Sequence, residues 1–303
     1  MGSQLVVSLK KQRSLYGSSI RILSPAKINL YLNILGRYSD GFHRIESIIE
    51  RISLCDVLNI NLKVQPDIRL ACNIPSLVNE DNLCLRAVRL MQQKYKIPFG
   101  FSFYLKKNIP VGAGLGGGSS NAASTLIGID RLLGLKLKAN ELYRLGRQLG
   151  SDVNFFLSQS PLAFVEGRGE TVTPLAMKGR LRHYIVWPGI RLSTKAVYRA
   201  VTAKLTKFFN NVKIMRYALA EADIFLLNKS IFNALEQSAF DVCKQLRAVK
   251  KRLNESGIRF AMTGSGSAFF GIAQLRSAKE QQVFQLLRRQ IPKGWSVFCA
   301  QTF

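Results

Sequence analysis

Hydrophobic and polar positions alternate from Ile28 to Leu35, which predicts a β-strand. Every second residue from Ile28 to Ile34 is aliphatic. Because successive side chains of a strand point to opposite sides, the intervening residues share the other face: Lys27, Asn29, Tyr31 and Asn33. The side chains of Lys27 and Asn29 are therefore expected to face the same polar space.

The same spacing arguments predict further elements along the chain. In chain order they are a turn at Asp40-Gly41, strands over 48–62, 67–72 and 101–105, helices over 82–95, 122–133 and 140–149 with Gly150 as a stop, a turn at 167–169, and a strand-loop-strand around 263–267. The strand at 101–105 leads directly into a glycine-rich run, and a helix follows. The order is strand, glycine loop, helix.

The glycine-rich run has five glycines in the seven positions 112–118, followed by two serines. Glycines let a backbone approach a ligand closely and point several N–H groups at one spot. A helix beginning after Ser119 would add its positive end, so the sequence predicts a phosphate site. The residues expected to form it are Pro110, Gly112, Gly114, Leu115, Gly116, Gly117, Gly118, Ser119 and Ser120.

Two other nucleotide-binding folds are alternative assignments for this loop. Gly112, Gly114 and Gly117 satisfy G-x-G-x-x-G, which a dinucleotide-binding dehydrogenase would share. Extra glycines crowd the loop, and the strand before it ends in Lys106-Lys107-Asn108, which fits that fold poorly. A Walker A motif is excluded because no G-K-[ST] follows.

Length and composition indicate a soluble chain of two domains. A chain of 303 residues exceeds what one core usually serves, so two domains with a cleft are expected, over 1–168 and 169–303. Hydrophobic residues make up 47% of the chain, with no uncharged apolar run near the roughly 18 residues of a membrane helix. No membrane partner is expected.

Charge and cysteine usage narrow the class of partner. The 44 Lys and Arg against 18 Asp and Glu give a net charge of +26, which attracts anions. The basic residues are spread without a dense tract, so a specific nucleic-acid site is not indicated, although nonspecific binding stays an alternative. Five cysteines without a C-x-x-C pair, and two histidines, predict no metal site.

The N-terminal residues 1–39 contain no Asp or Glu. This composition is compatible with a transit peptide, but the apolar stretch at 5–9 is shorter than the roughly 7 to 15 residues of a secretory signal. A short cytosolic extension of a basic protein is the simpler interpretation. We therefore expect a cytoplasmic protein.

Taken together, five segments resemble the GHMP kinase superfamily over about residues 22–273. They are Ser24 to Leu30 (S-P-A-K-I-N-L), Gly36-Arg37 with Asp40 to His43 (D-G-F-H), Pro110 to Ala123, Leu149 to Val153, and Thr263 to Ser267. The first two point within the superfamily to the 4-diphosphocytidyl-2-C-methyl-D-erythritol kinases. The resemblance implies an α+β fold, with an N-terminal domain like domain 2 of ribosomal protein S5 and a ferredoxin-like C-terminal domain.

The resemblance also implies the reaction. It is phosphoryl transfer from ATP, with Mg²⁺, to the 2-hydroxyl of a cytidine diphosphate derivative of methylerythritol, by a monomer or homodimer. Asp152 is implied as the base and Lys27 as its partner, since a carboxylate accepts the hydroxyl proton and an ammonium offsets charge. One departure is Asn154, which stands where relatives usually carry proline.

Binding residues are implied on both substrates. Phe42 and His43 would hold the cytidine, with Tyr198 on the other face of the base. Asn82 and Lys107 resemble adenosine contacts. The loop residues Gly264, Ser265 and Gly266, together with Asn29, would approach the phosphates and the acceptor.

Each assignment has a structural alternative. Asp152 and Asn82 could simply cap helices, Lys27 and Lys107 could be solvated surface lysines, His43 could be structural and Tyr198 could pack in the core. Another GHMP kinase, such as homoserine or mevalonate kinase, would share the glycine loop but not the D-G-F-H segment. Nucleic-acid binding and a dehydrogenase stay as alternatives of other classes.

Overall fold

The chain forms two compact units, each built from discontinuous segments. The computed structural model describes residues 17–201, 211–273, 284–289 and 291–303. Unit 1 comprises Met1–Pro25, Cys55–Ile109 and Gly117–Gln159, and unit 2 comprises Ala26–Leu54, Pro110–Gly116 and Ser160–Phe303. Residues 1–16, which include most of the predicted cytosolic extension, lie outside the described residues, so the cytoplasmic location stays a prediction. The boundary near residue 169 also stays a prediction.

Two long strands run through both units, because the division falls within each of them. They are β1 (Ser19–Arg37) and β2 (His43–Lys63). The predicted strands over 28–35 and 48–62 are confirmed as parts of them. The turn that joins them is also confirmed: the amide of Gly41 donates to the Tyr38 carbonyl at 2.9 Å, and Asp40 Oδ1 accepts from the Phe42 amide.

Besides a 3₁₀ helix at Pro75–Leu77, unit 1 adds two short strands and four α-helices to its parts of β1 and β2. They are β3 (Ile68–Cys72), β4 (Gly100–Lys106), α1 (Leu83–Tyr95), α2 (Gly117–Leu133), α3 (Ala139–Leu149) and α4 (Val153–Leu157). β4 pairs antiparallel with the 57–63 part of β2, and β3 pairs parallel with β4. The predictions for β3, β4, α1 and α3 are confirmed within one or two residues, with Gly150 ending α3.

Helix α2 packs closely on the sheet of unit 1. A Cβ at Gly128 would lie 2.5 Å from Ile60 Cδ1 and 2.9 Å from Ile22 Cδ1, so a side chain there would require both isoleucines to move. The helix begins at Gly117, earlier than the predicted start after Ser119. Glycine and serine are weak helix formers, so spacing alone placed the start too late. The first helical turn is thus part of the glycine-rich run.

Unit 2 contains the remaining elements. They are β5 (Leu162–Gly167), β6 (Thr171–Pro174), β7 (Arg182–Trp187), α5 (Thr194–Arg199), α6 (Asn211–Glu221), α7 (Ile224–Ser230), β8 (Phe232–Asn233), α8 (Leu235–Val242), α9 (Gln245–Asn254), β9 (Ala261–Met262), β10 (Phe269–Ile272), helix α10 over 284–289 and β11 (Ser296–Gln301). β5 pairs with β2 and β6, and β8 pairs parallel with β1. A second, antiparallel sheet has the order β11-β7-β10-β9.

The core of unit 2 packs helices against this second sheet. Val186 and Phe269 of the sheet, Leu235 and Leu246 of the helices and Leu32 of β1 are all buried in one cluster. Burial of such side chains contributes on the order of 2 kcal/mol each. The predicted strand-loop-strand is confirmed as β9, the loop at 263–268 and β10. Within the described part of the chain, no helix is long and apolar enough to cross a bilayer.

Candidate active site

The glycine-rich run needs glycine at three positions of its first half. Gly112, Gly114 and Gly116 have φ of +67°, +77° and +70°, a region that other residues adopt only with strain. In unit 2 this half is held by main-chain hydrogen bonds, since the Leu192 amide donates to the Gly112 carbonyl at 3.2 Å and the Ala268 amide to the Ala113 carbonyl at 3.0 Å.

The glycine-rich run and the loop at 263–268 approach each other backbone to backbone in unit 2. A Cβ at Gly114 would overlap the carbonyl oxygen of Thr263 and lie 2.9 Å from the amide nitrogen of Gly266. Ser265 is fixed nearby, with its Oγ 2.9 Å from Thr194 Oγ1. Two of the predicted motifs, 150 residues apart in sequence, therefore form one main-chain surface.

Lys27 and Asn29 join this surface from β1. Lys27 is buried, its Nζ donates to Asn29 Oδ1 at 2.6 Å, and its amide donates to the Leu115 carbonyl at 3.0 Å. A Cβ at Gly264 would lie 3.0 Å from Lys27 Nζ. The prediction that Lys27 and Asn29 face the same space is confirmed, and a solvated surface lysine is excluded.

Asn29 orients Lys27 through a chain of hydrogen bonds. Its Nδ2 donates to Ser47 Oγ at 2.9 Å, and Ser47 Oγ donates to the Tyr31 carbonyl at 2.5 Å. The backbone amide of Asn29 also donates to Thr263 Oγ1 at 2.9 Å. These bonds fix Oδ1 of the Asn29 amide toward the ammonium. Ser47, on the facing strand β2, was not found from the sequence.

The second half of the run forms the first turn of α2 in unit 1. Its amides carry the positive end of a 17-residue helix. Among the described residues, Ser120 Oγ is a buried oxygen with no hydrogen-bond partner, and the residue is 1% exposed. A buried hydroxyl at a helix N-terminus suits a phosphate oxygen as its missing partner.

The two adenosine candidates lie in unit 1 with structural roles of their own. Asn82 is the N-cap of α1, its Oδ1 accepting from the Cys84 amide at 2.9 Å. Lys107 is buried rather than solvated, and its Nζ forms an ion pair with Asp56 and donates to Asn121 Oδ1 at 3.0 Å. Their contacts to adenosine stay predictions.

Asp152 stands at the N-cap position of α4 in unit 1. Within the described residues its carboxylate makes no capping hydrogen bond to that helix, unlike the side chain of Asn82 at α1. Capping therefore does not account for an aspartate here. Asn154, in place of the usual proline, is buried in α4 and fits against Gly146 of α3. The pairing of Asp152 with Lys27 stays a prediction.

The cytidine candidates Phe42, His43 and Tyr198, named the aromatic cluster below, all lie in unit 2. The rings of His43 and Tyr198 lie 5.3 Å apart, centroid to centroid. Phe42 is 55% exposed, and the guanidinium of Arg168 lies 4.9 Å from its centroid while forming an ion pair with Asp40. An exposed ring with one face covered by a cation is suited to stacking a base on the other face.

His43 is half-buried, and burial followed by the charge of Arg37 lowers its pKa below the ordinary 6.5. The imidazole is therefore neutral at pH 7, with one nitrogen able to donate and the other to accept.

Comparison with known proteins places these residues in a family. The GHMP kinases N terminal domain family matches residues 82–160, and the GHMP kinases C terminal family matches residues 215–293. The 4-diphosphocytidyl-2-C-methyl-D-erythritol kinase of Protochlamydia amoebophila (strain UWE25) is 39% identical over 258 residues, 84% of this chain and 85% of the relative. The kinase of the same name from Lachnospira eligens is 34% identical over 94% of this chain and 99% of its own length.

The chain belongs to the 4-diphosphocytidyl-2-C-methyl-D-erythritol kinase family. A crystal structure of a 4-(cytidine 5'-diphospho)-2C-methyl-D-erythritol kinase matches it with a TM-score of 0.77 and 32% identity, over 93% of this chain and 98% of that one. The α+β fold of two-domain GHMP kinases is thereby confirmed, and with it the use of ATP that the superfamily implies. Whether this member of the kinase family is a monomer or a homodimer stays a prediction.

Besides Ser47, two residues that contact the candidate residues were missed from the sequence. Asp56 shares a strand face with Leu58, Ile60 and Leu62, all buried. An acidic residue in phase with an apolar face is a signal that could have found it. Arg168 carries no such signal, because its partner Asp40 is 128 residues away.

Proposed function

We propose that the protein transfers the γ-phosphoryl group of ATP to the 2-hydroxyl of 4-diphosphocytidyl-2-C-methyl-D-erythritol, in non-mevalonate isoprenoid synthesis. The observation that carries this proposal is the cluster of Lys27, Asn29, Leu115 and Gly264 in unit 2. It sets a buried ammonium against the main chain of the glycine-rich run. The names of the relatives supply the identity of the acceptor.

The glycine-rich run binds the phosphates in this proposal. Its amides and the N-terminus of α2 neutralise the triphosphate, and Ser120 Oγ donates to a phosphate oxygen. Mg²⁺ supplies further charge neutralisation when bound. This ion is commonly held by substrate phosphate oxygens together with one or two carboxylates.

Asp152 acts as the base in this proposal and Lys27 as its partner. The carboxylate accepts the proton of the attacking hydroxyl, and the ammonium offsets the charge that develops on the transferred group. Asn29 holds the ammonium in place. In phosphoryl transfer, positioning and electrostatic stabilisation supply most of the rate enhancement, which fits a site with few reactive side chains.

The aromatic cluster selects the acceptor in this proposal. Phe42 and Tyr198 stack on the cytosine, and the neutral imidazole of His43 hydrogen-bonds to it. Gly264, Ser265 and Gly266 approach the acceptor's reacting end from the loop at 263–268. An acceptor without a base, such as homoserine or mevalonate, would leave this cluster unused.

One assay tests the proposal directly. ADP release from ATP is measured with the cytidine acceptor, with homoserine, with mevalonate and with no acceptor. We expect turnover with the cytidine acceptor alone. Equal turnover with another acceptor, or ATP hydrolysis independent of any acceptor, would refute the assignment.

The base is tested by Asp152→Asn. We expect kcat to fall by about 10²-fold or more, with ATP affinity nearly unchanged, because an amide cannot take the proton. A matched control is Asp223→Asn, since Asp223 is the N-cap of α7 and its Oδ1 accepts from the Leu226 amide at 2.9 Å. Asn caps as well as Asp, so this control should retain its kcat. Activity of Asp152→Asn within a few-fold of the unaltered enzyme would remove Asp152 from the base role.

A further inference from the structure

The carboxylate of Asp56 accepts four hydrogen bonds in unit 1. The residue is 0% exposed. Its Oδ1 accepts from the amides of Asn108 at 2.8 Å and Ile109 at 2.9 Å. Its Oδ2 accepts from Asn121 Nδ2 at 2.9 Å and forms an ion pair with Lys107 Nζ. A carboxylate has about four lone-pair sites, so each oxygen is fully used.

These four donors stand at the two ends of the glycine-rich run. Lys107, Asn108 and Ile109 connect β4 to the run, and Asn121 lies in α2, just after it. Asp56 lies on neither of these elements but on β2. One carboxylate on a third element therefore joins the residues before the run to those after it.

The ammonium of Lys107 also packs directly against the first turn of α2. A Cβ at Gly117 would lie 3.0 Å from Lys107 Nζ and 3.1 Å from Ile109 Cγ2. The hydrogen bond of Lys107 Nζ to Asn121 Oδ1 holds the ammonium there. Lys107 Nζ therefore links Asp56 to the start of the helix.

Stability alone does not explain a buried ion pair at this place. Removing two charges from water is costly, and well-packed apolar side chains of similar volume usually stabilise a fold at least as well. What a saturated carboxylate provides is geometry, because each of its four bonds fixes the direction of a neighbouring group. The groups fixed by Asp56 are those that set where the glycine-rich run begins and ends.

We propose that Asp56 is a positioning residue for nucleotide binding, which ties the two ends of the glycine-rich run together before ATP arrives. The inference rests on the proposed function only in that ATP phosphates occupy this run. A preorganised loop loses less free energy to ordering when it binds a ligand. Loss of the contacts made by Asp56 should therefore weaken ATP binding.

Asp56→Asn removes the contacts of Asp56 with Lys107 and Asn121 and can keep those with the two main-chain amides. The amide oxygen can still accept from the amides of residues 108 and 109, but its NH₂ then meets Lys107 Nζ and Asn121 Nδ2, which are donors. We expect the Kd for ATP, measured by calorimetry well below the unfolding temperature, to rise about tenfold. The KM for the acceptor should stay within about twofold.

An exchange of the two side chains restores the pattern of donors and acceptors. In the double variant Asp56→Asn with Asn121→Asp, the new amide at 56 donates to the new carboxylate at 121. That carboxylate also accepts from Lys107 Nζ. We expect ATP affinity to return to within about threefold of the unaltered protein. If Asp56→Asn alone does not fold, the double variant carries the test, and a tenfold loss of ATP affinity in it would overturn the proposal.

Glu50→Gln is the matched control, because Glu50 is an equally buried carboxylate in unit 2. Its Oε2 lies 3.0 Å from His183 Nε2, and its Oε1 accepts from Thr302 Oγ1 at 2.6 Å. This variant should lose stability and keep its ATP affinity. If Asp56→Asn behaves in the same way, or weakens the acceptor as much as ATP, the positioning role is wrong. ATP affinity is measured without acceptor, so failure of the proposed phosphorylation would leave this result standing.

Discussion

The proposed phosphate side and the proposed base side of the candidate site are built by different means. Main-chain groups build the phosphate side, from the glycine-rich run and the loop at 263–268, with buried Lys27 and Asn29 against them. Exposed or half-buried side chains build the base side, namely Phe42, His43 and Tyr198. Main-chain groups cannot be exchanged by substitution, but an added Cβ can displace them. The phosphate side should therefore be sensitive to volume, and the base side to the chemistry of single side chains.

The largest effect is expected for Gly114→Ala. Its Cβ would overlap the Thr263 carbonyl oxygen, so the two loops must separate. A displacement of about 1 Å at reacting groups can cost on the order of 10² in rate. We expect kcat/KM for ATP to fall at least that far, as measured by ADP release.

Gly257→Ala separates this clash from backbone strain. Gly257 has the same φ of +77°, and a Cβ there has nothing within 4 Å. Strain of roughly 1–2 kcal/mol should lower the stability of both variants. Loss of activity in Gly257→Ala as large as in Gly114→Ala would show that strain, and not the contact with Thr263, is responsible.

A smaller effect is expected on the base side, for Phe42→Leu. Stacking of a base on an aromatic ring contributes about 1–3 kcal/mol, so the KM for the acceptor should rise roughly tenfold while the KM for ATP is unchanged. Phe225→Leu is the control, because Phe225 is also exposed, at 68%, and lies on α7, where its ring centroid is 4.4 Å from Lys229 Nζ. Equal KM values for Phe42→Leu and the unaltered enzyme would show that this ring does not hold the base.

The two sides also differed in what the sequence could predict. The glycine spacing and the period-two pattern of β1 are local signals, so the order of strand, glycine loop and helix and the shared direction of Lys27 and Asn29 were predicted correctly. The apolar face of β2 could have marked Asp56 as buried, but not its partners Lys107 and Asn121, which lie 51 and 65 residues further along the chain. Arg168 was missed for the same reason. Contacts over such separations are set by sheet register and helix packing, which no local pattern records.

The early start of α2 has a different physical origin. Gly117, Gly118 and Ser119 have weak intrinsic preference for a helix. In the folded chain Gly117 packs against Lys107 Nζ and Ile109, where a Cβ would lie 3.0 Å and 3.1 Å from the nearest atoms, closer than ordinary contact. Tertiary contacts at the first turn of α2 can thus outweigh the weak helix propensity of these residues, and a pattern along the sequence does not contain such contacts.

The smallest effect expected is a pH dependence that arises on the base side. Burial and the charge of Arg37 lower the pKa of His43 below the ordinary 6.5, so its imidazole is neutral at pH 7 and gains a proton as the pH falls below that value. Protonation removes the accepting nitrogen, so kcat/KM for the acceptor should be constant from about pH 8 to 6.5 and then fall a few-fold as the pH is lowered. Since the unfolded chain takes up this proton first, stability should also decrease as the pH falls through this range.

Two variants of Arg37 sharpen this test, because they differ in charge. Arg37→Gln removes the positive charge near His43, so the pKa of His43 should rise and the fall in kcat/KM should begin at higher pH. Arg37→Lys keeps the charge, and its profile should match that of the unaltered enzyme. His43→Gln should abolish the dependence altogether, since a glutamine amide does not titrate. If kcat/KM for the acceptor still depends on pH in His43→Gln, another group is responsible for the titration. The protonation state of His43 would then not control binding of the acceptor.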